Sequence, residues 1–107
     1  MPRTFISELE ELVLLSVGVL YPDAYAYAIK NEINDQIGRS LSLASIHTVL
    51  YRLENVGFLK SEMGGKSDKR GGRSKRLFSL TQSGREAVEE IQAVRQAMWS
   101  KIQSAGG

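Results

Sequence analysis

The chain has 107 residues, of which 42% are hydrophobic and 24% are charged, and its net charge is +2. This length and composition suit one compact globular domain and argue against a disordered segment. The sequence contains no cysteine, which excludes disulfides and thiolate zinc sites and agrees with a reducing cytoplasm. The longest apolar stretch, residues 12–21, is too short to span a bilayer, and no targeting segment is visible. We therefore expect a single cytoplasmic domain over residues 1–107.

The first predicted helix begins after Ser7. Glu10 stands three residues later, which is the spacing of a capping box, and Tyr21-Pro22 ends the helix. The apolar residues between these limits recur at the spacing of one helical face. They are Leu9, Leu12, Val13, Val17 and Leu20.

Two further helices are predicted before residue 58. Asp23 is the expected cap of the second helix, whose isoleucines repeat every four residues and which ends at Gly38. Ser42 is the expected cap of the third helix, which ends at Gly57. The third helix has the clearest amphipathic pattern of the chain. Its expected buried face consists of Leu43, Ile46, Leu50 and Leu53.

A β-hairpin and a long helix are predicted in the second half. Residues 58–63 and 75–80 favour strands, and the glycine-rich segment 64–73 between them favours a hairpin tip. Thr81 caps the fourth helix. The order of elements predicts a mainly α fold of the α+β class. It is a winged helix-turn-helix over 7–80 with a two-stranded wing (the hairpin), followed by a C-terminal dimerisation helix over 81–105. The apolar stripe of this last helix is Ala87, Ile91, Val94, Met98 and Ile102.

Positive charge is concentrated in the predicted wing. Residues 60–76 contain seven basic and two acidic residues, a net charge of +5, whereas the rest of the chain carries −3. A short basic segment on an otherwise acidic protein is typical of contact with nucleic-acid phosphates, although a solvated loop has the same composition. The candidate DNA-contacting residues of the wing are Lys66, Lys69, Arg70, Arg73, Lys75 and Arg76.

The exposed face of the third helix is the expected site of base contact. It offers hydroxyl, imidazole and guanidinium groups, which can bond to bases or phosphates. A solvated polar face is commoner in proteins generally, but such faces are usually rich in Glu and Lys. Here Glu54 is the one acidic residue of the helix, and a face without carboxylates favours contact with phosphates. The candidates are Ser45, His47, Thr48, Tyr51 and Arg52.

Two motifs at the appropriate spacing resemble the PadR family of transcriptional regulators. The first begins in the last part of the third helix and continues past its end; it reads L-x-R-L-E-x-x-G-F-L over residues 50–59. The second runs from the wing into the start of the fourth helix and reads G-R-x-x-R-x-F-x-L-T-x-x-G over residues 72–84. The resemblance covers residues 9–102 and is to the short members, which have a single C-terminal helix.

The resemblance implies a homodimer that represses transcription. Its last helices would pack across the two-fold axis through the apolar stripe, and its paired third helices would bind a palindromic operator in double-stranded DNA. The chain differs from the family pattern at two positions. His47 stands where the family usually has tyrosine, and Ala26 stands where it usually has glycine before a tyrosine.

Trp99 has two interpretations. It packs against the partner subunit, or it forms a flat wall for a small hydrophobic aromatic effector, as a tryptophan in the same helix does in multidrug-sensing members of the family. An enzymatic function is not expected. The G-K-S tripeptide at 65–67 lacks the earlier glycine of a phosphate-binding loop, and the single histidine has no second residue with which to form a metal site. The rival function is a winged-helix module that contacts an acidic protein partner and no nucleic acid.

Overall fold

The computed structural model describes residues 6–64 and 75–106. The elements in chain order are α1 (Glu8–Leu20), α2 (Ala26–Ile37), α3 (Leu43–Asn55), β1 (Leu59–Gly64), β2 (Lys75–Leu80) and α4 (Gln82–Ser104). The predicted winged-helix order, mainly helical with a two-stranded wing, is confirmed. Four of the predicted wing residues, Lys66, Lys69, Arg70 and Arg73, lie outside the described residues.

The α1 helix begins with the predicted capping box. The Glu10 backbone N–H donates to Ser7 Oγ at 3.1 Å, and the Ser7 backbone N–H donates to Glu10 Oε1 at 2.7 Å. Leu14 is fully buried beside Val13 and Val17, although the predicted apolar face did not include it. The buried face is wider than predicted because α1 lies at the centre of the fold, in contact with α2, α3, α4 and β2.

The start of α2 differs from the prediction. Asp23 does not cap this helix: the N-cap is Tyr25, which forms no side-chain capping bond. Asp23 lies instead in a turn, where its backbone N–H donates to the Leu20 carbonyl at 2.7 Å and its carbonyl accepts from the Tyr25 N–H at 3.2 Å. This turn delays the start of α2 to Ala26.

The caps of α3 agree with the prediction, but its buried face differs at one end. Ser42 Oγ accepts a hydrogen bond from the Ser45 N–H at 3.1 Å. Leu43, expected in the core, is 38% exposed because the first residue of α3 lies beyond the core edge, whereas Val49 is buried. Gly57 has φ 90°, and the Phe58 N–H donates to the Leu53 carbonyl at 2.9 Å. This is a Schellman motif, which requires the left-handed conformation that glycine adopts without strain.

The wing strands continue from that turn. β1 and β2 pair antiparallel with Leu59 opposite Leu80 and Gly64 opposite Lys75. Leu59 and Phe78 are buried in the core formed with α1, α2 and α3. The Phe78 N–H also donates to the Ala24 carbonyl at 2.8 Å, which ties β2 to the start of α2.

The start of α4 is fixed against the turn after α3. The Thr81 N–H donates to the Phe58 carbonyl at 3.1 Å, and Thr81 Oγ1 donates to the Gly57 carbonyl at 2.6 Å. A Cβ at Gly84 would lie 2.0 Å from the Phe58 carbonyl oxygen. The two motifs of the sequence therefore meet in space, and their glycines allow the contact. No helix in the described part of the chain combines the length and apolar character needed to cross a membrane.

Candidate nucleic-acid interface

The five candidates on α3 lie along one side of that helix. Four of them are exposed, and His47 is half-buried at the edge of the same face. The acidic residue of α3, Glu54, is directed toward β1, where its carboxylate accepts a hydrogen bond from Ser61 Oγ at 2.6 Å. The face is thus polar and open, and the Glu54 carboxylate is turned to the sheet.

The hydroxyl groups of this face are partly engaged within α3. Thr48 Oγ1 donates to the Ala44 carbonyl at 3.0 Å, and Ser42 Oγ donates to Ser45 Oγ at 3.0 Å. A hydroxyl has one donor hydrogen and additional acceptor lone pairs. In this conformation Thr48 can accept from a base but must rotate to donate to one.

A cleft of about 250 Å³ lies between α2, α3 and β2. His47 and Tyr51 form its α3 side, and their rings stack with centroids 5.8 Å apart. His47 Nδ1 is buried and has no hydrogen-bond partner among the described residues. Lys75 and Arg76 line the cleft from β2, so the structure brings these two wing cations beside the α3 face.

The two cations are held by contacts across the fold. Lys75 Nζ lies 4.1 Å from the centroid of the Tyr25 ring, a cation–π contact. Arg76 Nη1 donates to Ser61 Oγ at 2.9 Å. Both side chains remain exposed and can meet an anion.

The α2 helix contributes residues to this surface that were not predicted from the sequence. Tyr25 and Tyr27 line the same cleft, and Lys30 Nζ lies 5.1 Å from the centroid of the Tyr27 ring. The pattern Y-A-Y-A-I-K at residues 25–30, two tyrosines followed by a lysine at the start of a helix-turn-helix, was an available signal. Aromatic and cationic groups together suit a surface that contacts nucleic acid.

Arg52 is bonded to α1 as well as exposed on α3. Its Nη1 donates to Glu10 Oε2 at 2.9 Å, and its side chain is 54% exposed. Burial raises the pKa of Glu10, but the hydrogen bonds from Arg52 and Ser7 and the charge of Arg52 outweigh it, so the pKa of this carboxyl is lowered overall. The capping box predicted the Ser7 bond alone, because Arg52 is distant in sequence.

The α4 helix is anchored to α1 in its middle. Glu11, a buried residue of α1, accepts hydrogen bonds from Gln92 Nε2 at 2.7 Å and from Arg95 Nη2 at 2.8 Å. Near this anchor the apolar stripe is half-buried at Ala87 and Ile91. From Val94 onward, four large apolar side chains of α4 are exposed to solvent: Val94, Met98, Trp99 and Ile102.

The family profile of the transcriptional regulator PadR-like family matches residues 14–90. The chain belongs to this family. It is a DNA-binding regulator of transcription, and the resemblance inferred from the two motifs is confirmed. No match was found among curated proteins.

Solved structures of PadR-like regulators share the fold of this chain. One from Bacillus cereus strain ATCC 14579 has a TM-score of 0.71 at 18% identity, over 91% of this chain and 89% of that chain. A PadR family regulator from Eggerthella lenta DSM 2243 has a TM-score of 0.66 at 24% identity, over 92% of this chain and 85% of that chain. Bacillus subtilis PadR, solved in complex with operator DNA, has a TM-score of 0.64 at 21% identity, over 80% of this chain and 48% of that chain.

Proposed function

We propose that this PadR-like regulator is a repressor that binds a palindromic operator as a homodimer. The observation that supports this best is the exposed end of the apolar stripe on α4, where Met98 is 62% exposed and Ile102 and Val94 are also open to solvent. A helix that continues past its own core with apolar side chains exposed is stabilised when a second copy covers it. The division into a winged core (7–80) and a dimerisation helix (81–105) is part of this proposal.

In the proposed complex, the two α3 helices enter successive major grooves about 34 Å apart. Ser45, His47, Thr48 and Tyr51 then face base edges. Lys75 and Arg76, together with the wing residues 66–73, lie along the phosphates or in the adjacent minor groove. The solved complex of Bacillus subtilis PadR with operator DNA supports this by analogy of fold.

Repression follows when the bound dimer blocks access of RNA polymerase to the promoter. The regulator acts in the cytoplasm and has no catalytic activity of its own under this proposal. A small hydrophobic aromatic effector that bound beside Trp99, which is 53% exposed, would change the angle between subunits and release DNA. In the simpler alternative, Trp99 packs against the partner subunit, and its exposure in the single chain agrees with this as well.

Selection of bound sequences from a random DNA pool, combined with sedimentation, tests the proposal. We expect an inverted repeat with half-site centres about 10 base pairs apart, and a dimer both free and bound. The affinity should fall steeply with salt because phosphate binding releases counterions. Absence of any enriched sequence, together with binding to acidic proteins, would instead support the protein-interaction module.

A further inference from the structure

The Glu10 carboxylate joins the start of α1 to the end of α3. Its Oε1 accepts from the Ser7 backbone N–H at 2.7 Å, and its Oε2 accepts from Arg52 Nη1 at 2.9 Å. Each oxygen therefore has a different partner. The capping box alone needs one of these bonds, so the second is a tertiary contact that local helix stability does not explain.

The two residues of this pair differ in exposure. Glu10 is 8% exposed, whereas more than half of the Arg52 side chain is open to solvent. A guanidinium has further N–H donors on its other edges, in a fixed planar arrangement. Glu10 thus lies on the core side of Arg52 and leaves the solvent side of the guanidinium able to bind an anion.

The position of Arg52 along α3 indicates which anion the guanidinium would bind. Arg52 lies in the last turn of the helix. In helix-turn-helix proteins, base edges are contacted from the first turns of the recognition helix, while phosphates take most of the remaining contacts. A DNA phosphate is therefore the partner that fits the free edge of Arg52.

We infer that Glu10 is a positioning residue for DNA binding, which holds the Arg52 guanidinium so that its free N–H groups meet a DNA phosphate. This inference rests on the proposed function. By bonding one edge, the carboxylate restricts the arginine rotamers before DNA arrives, and less conformational entropy is lost on binding. The lowered pKa of Glu10 is consistent with a carboxylate that stays charged in this role.

Replacement of Glu10 by glutamine distinguishes a positioning role from an effect of net charge, because the two predict opposite changes in DNA affinity. Removal of a negative charge should by itself strengthen DNA binding. Glutamine preserves the residue type of the capping box, but it replaces one of the two accepting oxygens with an NH2 group that can only donate. In this geometry either the bond from Ser7 or the bond from Arg52 is therefore lost. The matched control is Glu8→Gln, since Glu8 is exposed in the same first turn and forms no side-chain hydrogen bond within the described residues.

The test is a titration of operator and random DNA against salt with the full chain. Glu10→Gln should weaken binding to both DNAs roughly threefold to tenfold, the size expected for the net loss of one ordinary hydrogen bond. It should also reduce the slope of log K against log salt by about 0.9 per subunit, which a folding defect would not do. Glu8→Gln should bind at least as tightly as the wild type. In the Arg52→Ala background, Glu10→Gln should cause no further loss.

Equal affinity of Glu10→Gln and Glu8→Gln, or additive losses in the double variant, would overturn the inference while DNA binding by the wild type stood. A wild type that bound no DNA would overturn both the inference and the proposed function. If Glu10→Gln fails to fold, Arg52→Lys serves in its place. Lysine keeps the charge but lacks the planar group that can bond Glu10 and a phosphate together, so a loss of the same size is expected. Binding by Arg52→Lys equal to that of the wild type would contradict the inference.

Discussion

Arg95 on α4 donates a hydrogen bond to the buried carboxylate of Glu11 on α1 across 2.8 Å. Gln92 donates to the other oxygen of the same carboxylate, so α4 is attached to the winged core at two points one turn apart. The exposed part of the apolar stripe begins at Val94, between these two points, and continues to Ile102. In the proposed dimer, this attachment sets the angle between the dimerisation helix and α3.

Glu11→Gln should loosen that attachment and broaden the operator spacings that the dimer accepts. The amide replaces one of the two accepting oxygens with an NH2 group that can only donate, so one of the two bonds is lost in this geometry, and Arg95 loses its ionic partner. The cost in unfolding free energy should be small, about 1 kcal/mol or less, because Arg95 is largely exposed. Affinity for a panel of operators with altered half-site spacing is the measurement. Glu8→Gln controls for the lost charge, and an unchanged spacing preference would count against the expected role of this attachment.

Met98→Lys should dissociate the proposed dimer, whereas Trp99→Ala should not. Lysine at position 98 places a charge in the middle of the apolar stripe, where burial without a partner is unfavourable. We expect dimer affinity to fall by about tenfold or more, with a parallel loss of operator binding. Sedimentation of both variants decides this. A wild type that is monomeric yet binds the operator fully would refute the dimer.

The fluorescence of Trp99 should show whether this residue packs against the partner subunit or binds an effector. If it forms an effector wall, planar aromatic compounds should quench its fluorescence and release DNA from the wild type, and Trp99→Ala should remain bound in their presence. If it packs against the partner subunit, its emission should be blue-shifted in the dimer and insensitive to such compounds. One fluorescence titration with DNA present separates the two outcomes.

Replacement of Arg70, Arg73 and Arg76 by alanine should weaken binding to specific and random DNA alike. These residues belong to the +5 segment, and phosphate contacts position a protein on DNA without discriminating sequence. The salt slope should fall by about 0.9 for each phosphate that the variant no longer neutralises. Mobility-shift titrations at several salt concentrations measure both effects. Unchanged affinity and slope would mean that the wing does not contact DNA.

Glu10 should make stability depend on pH in acid. Its pKa in the folded protein is lowered from the ordinary value of 4.5, so the folded state favours the charged form. The resulting stability is fully present above the unfolded pKa and is lost as the pH falls through the folded pKa. The difference in unfolding free energy between wild type and Glu10→Gln should therefore be largest near neutral pH and shrink below pH 4.5. Urea denaturation of both proteins across this pH range measures the difference. A difference in unfolding free energy that grew as the pH fell would contradict the prediction.

Gly84→Ala should destabilise the junction between the wing and α4. The added methyl group would stand 2.0 Å from the Phe58 carbonyl oxygen, which is backbone and cannot rotate away. We expect a loss of about 2 kcal/mol or more in unfolding free energy. Chemical denaturation of Gly84→Ala measures this, and Ser83→Ala, at an exposed neighbouring position, is the control. A loss no larger than that of the control would mean that α4 can shift without cost.

The order of elements and most helix caps could be predicted from the sequence because they depend on groups a few residues apart. Ser7 with Glu10, Ser42 and Gly57 each act within a single turn of chain. The position of the basic wing and the low acidity of α3 are likewise properties of composition. Asp23 is the exception, since a local turn displaced the cap of α2 to Tyr25.

The tertiary structure alone decided which distant side chains meet. Glu10 and Glu11 are adjacent in sequence, yet Glu10 bonds Arg52 on α3 and Glu11 bonds Arg95 on α4. Neighbouring residues of a helix point about 100° apart, so two adjacent glutamates can reach different helices once those helices pack around α1. Periodicity determines that a face exists, whereas the packing of one face on another selects its partners.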